Sequence, residues 1–133
     1  MLFKRKNNEI GTYIEIKVDR YKTNIFILDN SIKKVTDKLS FDYGFENVID
    51  CAYDEARFFD KSMAKMDSYS FLSNYYNKVH PSIVNYISNI EFSILCKMSI
   101  PSKVNRVYIS GDGASLFYNE FKMKFNNCYL KTT

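Results

Sequence analysis

The sequence predicts an α/β domain, a mixed sheet with three antiparallel strands, a parallel strand and packed helices. Three observations predict it. Between Thr12 and Phe41 lie three short strand-length runs, the first and third with apolar residues at every second position, the period of half-buried strands, and the middle one a continuous apolar run. From Phe45 to Phe59, and again from Ile83 to Met98, they recur at three and four, the period of a helix with one apolar stripe. "VNRVYIS", Val104 to Ser110, then has the apolar density of a central strand. A strand arriving after a long helix lies parallel to an earlier one through a right-handed crossover.

The elements follow in order. In "TYIEIKV", Ile14, Ile16 and Val18 share one face, and Tyr13, Glu15 and Lys17 the other. The polar break "DRYK" leads to "TNIFILD", Thr23 to Asp29, rich in β-favouring residues, so the two runs read as a hairpin. "DNS", Asp29 to Ser31, is a turn signal, after which Val35, Asp37, Leu39 and Phe41 alternate with Thr36, Lys38 and Ser40 as a third strand. Past "DYG", the residues Phe45, Val48, Ile49, Ala52, Ala56 and Phe59 form a stripe that covers this meander. "KSMAKMDSYSFLSNYYNKVH" is rich in Ser, Tyr and Asn with weak periodicity, and reads as a helix end, a loop and a short second helix. Pro81 suits the first turn of a long helix carrying Ile83, Ile87, Ile90, Ile94 and Met98, which stops before Pro101. A last helix runs from Leu116 to about Phe125 with Phe117, Phe121 and Phe125 on one side, and "NCYLKT" adds a final strand.

Composition narrows the function classes. With 133 residues and 46% apolar content the chain suffices for one core and not for two ordinary ones, so a single domain over 1–133 is expected. A charged fraction of 26% without low-complexity tracts places it among globular chains. The net charge of +4 is scattered, and its one compact run, Lys4 to Lys6, reads as a solvated end; nucleic acid is therefore not the favoured partner. Cys51, Cys96 and Cys128 lack CxxC spacing and are odd in number, which fits a reducing compartment, with Cys51 and Cys96 expected as buried helical thiols. No apolar run approaches the roughly 18 residues of a membrane span, and "MLFKRK" lacks the apolar core of a secretory signal, so a cytoplasmic protein is expected. The single histidine, His80, precedes a proline and has no partner motif, and no GxSxG is present, which removes serine and cysteine nucleophile chemistry.

Two stretches carry candidate function. Gly111, Asp112, Gly113, Ala114 and Ser115 sit where α/β sheets bind ligands, at the carboxyl end of a parallel strand entering a helix. Glycines there let a backbone approach a phosphate or ribose, and the following helix favours an anion. The competing reading is a tight turn, with Ser115 capping the helix. "YSFLSNYY", Tyr69 to Tyr76, places Tyr69, Phe71, Tyr75 and Tyr76 together without clear core periodicity, either as a partner-binding surface or as a loop folded back on the core.

The order of elements matches the ribonuclease H-like core shared by actin-type ATPases, sugar kinases and many transposases. "VNRVYISGDGASLFYNEFKMKF" resembles the adenosine-side motif of actin-like ATPases of the FtsA and PilM type, with Asp112 replacing the middle glycine. "YIEIKVDRYKTNIFILDN" resembles their phosphate hairpin; aligned on Thr23, Asn24 and Ile25, it puts Lys17 on the leading aspartate and Asp19, Arg20 and Tyr21 on three glycines. "DYGFENVID" is similar to the family's start of its next helix, with Gly44 on a glycine. The resemblance implies one half of an actin-like ATPase, with a nucleotide set of Gly111 to Ser115 and Thr23 and, in the family, ATP with magnesium. The bulky hairpin residues and the missing carboxylate imply instead a non-catalytic interaction or assembly module without a cofactor, whose partner is a protein, a second actin-like subunit or itself. "RVYISGDGAS" is also similar to a family of insertion-sequence transposases, which implies a metal-dependent nucleic-acid enzyme or its remnant with Asp112 and Asp19 or Glu15 as metal ligands. A small phage or mobile-element protein that sequesters a host factor is a third reading, on size and composition alone.

Overall fold

The structure, a computed structural model, describes residues 11–29, 34–62, 66–97 and 104–131. Lys4 to Lys6, the turn at Asn30 and Ser31, Met98 and Pro101 lie outside the described residues. The strands are β1 (Thr12–Val18), β2 (Thr23–Asp29), β3 (Lys34–Phe41), β4 (Val104–Ser110) and β5 (Cys128–Leu130). The helices are α1 (Phe45–Phe59), α2 (Ser68–Asn74), α3 (Tyr76–Lys97) and α4 (Ala114–Lys124). One sheet has the order β3-β2-β1-β4-β5. β1, β2 and β3 pair antiparallel, β4 runs parallel to β1, and β5 runs parallel to β4. This is the ribonuclease H-like mixed sheet that the element order predicts.

The core forms where the two periods meet. Ile14, Ile16 and Val18 of β1, Ile25 and Ile27 of β2, and Val107 and Ile109 of β4 are buried together with Val48 and Ile49 of α1, Ile83, Ile87, Ile90 and Ile94 of α3, and Phe117 and Phe121 of α4. Burial of that aliphatic and aromatic surface is the main favourable term holding the helices to the sheet. β3 keeps its inward face only in part. Leu39 pairs with Ile25 and packs on the core, but the register slips between Ile27 and Leu28, so Val35 pairs with Leu28 and stands half exposed.

Several expectations are corrected. The long helix begins at Tyr76, so Pro81 lies inside it rather than in its first turn. Val79 explains the earlier start, since it is wholly buried and its amide donates to the Tyr75 carbonyl. The proline removes the amide that would have reached Asn77, an exposed residue whose carbonyl water can serve. The short helix is capped by Asp67, whose side chain accepts from the Ser70 amide at 2.9 Å and the Ser70 hydroxyl at 3.0 Å. Cys51 and Cys96 are exposed rather than buried, because the inward stripes of α1 and α3 are filled by Val48, Ile49 and Ala52 and by Ile90 and Ile94; Cys128 is the buried thiol.

Candidate functional site

β1 and β4 are parallel neighbours, so their carboxyl ends lie side by side. β1 leads into the hairpin tip Asp19 to Lys22, and β4 into the glycine loop Gly111 to Gly113. A cavity of about 540 Å³ opens between them, lined by Glu15 and Asp19 on one side and by Gly111, Asp112, Ala114 and Ser115 on the other. Two signals some ninety residues apart in sequence are thus brought to one place.

The glycines are explained first by crowding. Gly111 has φ +92°, a left-handed conformation, and a Cβ there would lie 2.4 Å from the Val18 carbonyl oxygen. A Cβ on Gly113 would lie 2.6 Å from the Phe45 ring and 2.7 Å from Val18 Cγ1. The Gly113 amide donates to the Val18 carbonyl at 2.9 Å, which ties the loop to the end of β1. Gly44 is equally constrained, since its Cβ would lie 2.1 Å from the Asp19 carbonyl oxygen. Helix α4 starts with Gly113 at its cap position and no side-chain cap bond; Ser115 is exposed inside the first turn and does not cap it, a correction of the capping reading.

The hairpin is closed by its neighbours. The Asp19 amide donates to the Lys22 carbonyl at 2.9 Å. The first amides of α1, which form the natural anion seat of a helix, donate inward instead: Phe45 to the Asp19 carbonyl at 3.0 Å and Glu46 to the Arg20 carbonyl at 2.9 Å. The Arg20 side chain turns back over α1, its Nε 3.8 Å from Glu46 Oε1. A hydrogen bond to Tyr69, and then the charge of Glu46, raise its pKa. Glu46 is buried and its Oε2 accepts the Ser68 hydroxyl at 2.6 Å. This meeting of hairpin, α1 and α2 was not foreseen from the sequence. The available signal was an acid two residues after Gly44, at the start of a helix, facing an arginine in the hairpin.

The candidate residues separate on inspection. Thr23, aligned with the nucleotide set, is wholly buried; its hydroxyl donates to the Tyr43 carbonyl at 2.7 Å and its oxygen accepts from the Tyr86 hydroxyl. It is a core residue with its polar group satisfied, a correction of the alignment reading. Burial raises the pKa of Tyr86 far above that of a free phenol. Of the acids, Glu15 is already engaged: Oε2 accepts the Ser110 hydroxyl and Oε1 the Lys131 ammonium, each at 3.1 Å. Glu15, Asp19 and Asp112 line one cavity, yet among the described residues no three His, Cys, Asp or Glu side chains group so as to hold a metal ion. In the aromatic segment Tyr69 and Tyr76 are exposed and Tyr75 is half-buried. Phe71 is wholly buried, edge-on to Tyr53 at 5.1 Å and stacked with Tyr75 at 5.4 Å, so it belongs to the core and not to a partner surface. Among the described residues no helix is long and apolar enough to cross a membrane.

No family model matches the chain, and no curated protein matches it. Solved structures do. The pSK41 ParM protein superposes with a TM-score of 0.77 at 11% identity, covering 95% of this chain and 37% of its own. Ta0583, an archaeal actin homologue, gives 0.74 at 11% identity, covering 98% and 47%. A 15-stranded ParM filament from Clostridium botulinum gives 0.68 at 16% identity, covering 99% and 46%. The chain therefore has the fold of an actin-like half domain, and it spans less than half the length of these structures.

Proposed function

We propose that this chain is a non-catalytic protein-interaction or assembly module built on one half of an actin-like ATPase fold, of the FtsA and PilM type, with its phosphate hairpin degenerate. One observation carries the reading: the first amides of α1 are spent on the carbonyls of Asp19 and Arg20. A phosphate arriving at the start of α1 would find these two amides already bonded. The closeness of Gly111 and Gly113 to Val18 supports the same reading, since the loop's shape serves packing without a ligand. The partner is a protein, namely a second actin-like subunit, of which another copy of this chain is the first candidate. One of the similar structures is a filament, which supports assembly as the inherited property. The contact surface is the exposed Tyr69 and Tyr76 or the edge of β3, which among the described residues has no strand on its outer side. A cytoplasmic setting accords with the thiol content.

Sedimentation velocity across a concentration series, paired with phosphate release from ATP and magnesium, tests this. The expected result is a sedimentation coefficient that rises with concentration, falls to the monomer value in Tyr69→Ser/Tyr76→Ser, and comes with no phosphate release above background. Phosphate release that disappears in Asp112→Asn overturns the non-catalytic reading, and a double variant that assembles like the parent overturns the tyrosine surface.

A further inference from the structure

The described helices pack on one face of the sheet, and the opposite face carries a band of rings. Tyr13, Phe26, Tyr108 and Tyr129 lie outside the core cluster that joins the strands to the helices. The register sets them together: Lys38, Phe26, Glu15, Tyr108 and Tyr129 are successive cross-strand neighbours from β3 to β5. Tyr13, two residues before Glu15 on the same face, has its ring 6.2 Å from that of Tyr108, which is 6.0 Å from that of Tyr129. The solvent side of such a sheet is ordinarily polar, so a band of rings there marks a surface that binds something. The charge on this face is one-sided. Lys17, Lys38 and Arg106 have no carboxylate partner among the described residues. Glu15 is the acid among them, and it is answered by Lys131 and by the Ser110 hydroxyl, each at 3.1 Å. Two of the cations lie directly on rings, Lys38 5.4 Å from the centre of Phe26 and Arg106 5.4 Å from that of Tyr129. Cations that look scattered along the sequence are thus gathered beside the rings by the fold.

We infer that this open sheet face binds a single strand of nucleic acid, with bases on the rings and phosphates against Lys17, Lys38 and Arg106. The charge is complementary to a polyanion, and a second copy of the same basic face would be repelled by it. The rings favour a nucleic acid over an acidic peptide, because a nucleotide chain repeats a flat base and a phosphate in every unit, and here ring and cation stand side by side. They favour a single strand over a duplex, whose base faces are stacked on one another and cannot reach a tyrosine. The inference goes beyond the assembly reading and uses neither Tyr69 nor Tyr76, which belong to α2 and α3.

The test is fluorescence anisotropy of a labelled oligothymidylate of about twelve nucleotides, titrated with the full chain. Saturable binding is expected, about tenfold weaker after a fourfold rise in salt, as befits a few engaged phosphates. Lys17→Gln and Lys38→Gln are each expected to flatten that salt dependence. Tyr129→Leu is expected to weaken binding by about fivefold or more with the salt dependence unchanged, because it removes a stacking surface and no charge. Lys122→Gln, which removes a cation from α4 on the helical side, is expected to leave binding as it is. All four substitutions fall at exposed positions, so the fold is kept. Absence of saturable binding overturns the inference, as does a loss in Lys122→Gln equal to that in Lys17→Gln. A duplex of the same length that binds as tightly as the single strand overturns the stacking. Polyglutamate that competes as well as unlabelled oligothymidylate overturns the nucleic-acid assignment in favour of an acidic peptide. None of these outcomes depends on self-association or phosphate release, so this inference and the assembly reading fail separately.

Discussion

The backbone amide of Gly113 donates to the carbonyl of Val18 at 2.9 Å, joining the loop after β4 to the end of β1. This bond and the Cβ-free approach around it hold the two strand ends together at the mouth of the cavity. Gly113→Ala would push a methyl against the Phe45 ring and Val18, and overpacking of this kind costs about 1–3 kcal/mol. Gly111→Ala adds a left-handed backbone to a clash with the Val18 carbonyl and should cost more. Urea unfolding of the two variants checks the order; equal stability of Gly111→Ala and the parent would contradict it.

Glu46 is the buried junction of hairpin, α1 and α2, whereas Arg20 is 55% exposed at its side chain. Glu46→Ala leaves the Ser68 hydroxyl without its acceptor and should destabilise by about 1–3 kcal/mol, while Arg20→Ala should change stability far less. Thermal melts of both variants read the difference, and a larger loss in Arg20→Ala would contradict the assignment.

Tyr86 couples stability to alkaline pH. Its folded pKa is raised above the phenol's unfolded value near 10, so the folded state holds the proton more tightly. That stability is fully present below about pH 10 and is lost as pH rises beyond it. Cys128, pushed up to about 11 by burial, acts in the same direction from about pH 9. Tyr86→Phe should cost about 0.5–1.5 kcal/mol at neutral pH, through the lost bond to Thr23, and should flatten the decline above pH 10. Unfolding free energies measured from pH 7 to 11 test both, and a slope unchanged in Tyr86→Phe would refute the coupling.

Thiol accessibility separates the cysteines. Cys51 and Cys96 are exposed and should react with an aromatic disulfide reagent quickly in the native protein, whereas Cys128 should react only on unfolding. A third fast thiol in native buffer would place Cys128 at the surface.

Much of the fold was legible because one-sided burial imposes a period. β1, α1 and the Ile83 to Ile94 stripe of α3 each bury one face and were read from their spacing, whereas β2 was read from its run of β-favouring residues. Val35 was misplaced because a slip in register is a pairing event between Ile27 and Leu28, invisible within either strand. Pro81 misled because burial of Val79 outweighs one missing hydrogen bond near a helix start. In the site, the loop and hairpin were legible as companions. Their close contact was not, since it depends on backbone carbonyls of Asp19, Arg20 and Val18 that carry no side-chain signature. Thr23 and Phe71 illustrate the limit from the other side: each has a residue type suited to a surface role, and only packing shows that both are core.

The central claim, that the phosphate grip is closed by α1, is tested most directly by calorimetry with ATP and magnesium on the full chain. The account predicts no saturable heat at a dissociation constant tighter than about 10 μM, the affinity of a ligand worth near 7 kcal/mol. Binding tighter than that would contradict it, because the amides of Phe45 and Glu46 would then have to leave the carbonyls of Asp19 and Arg20 for the nucleotide.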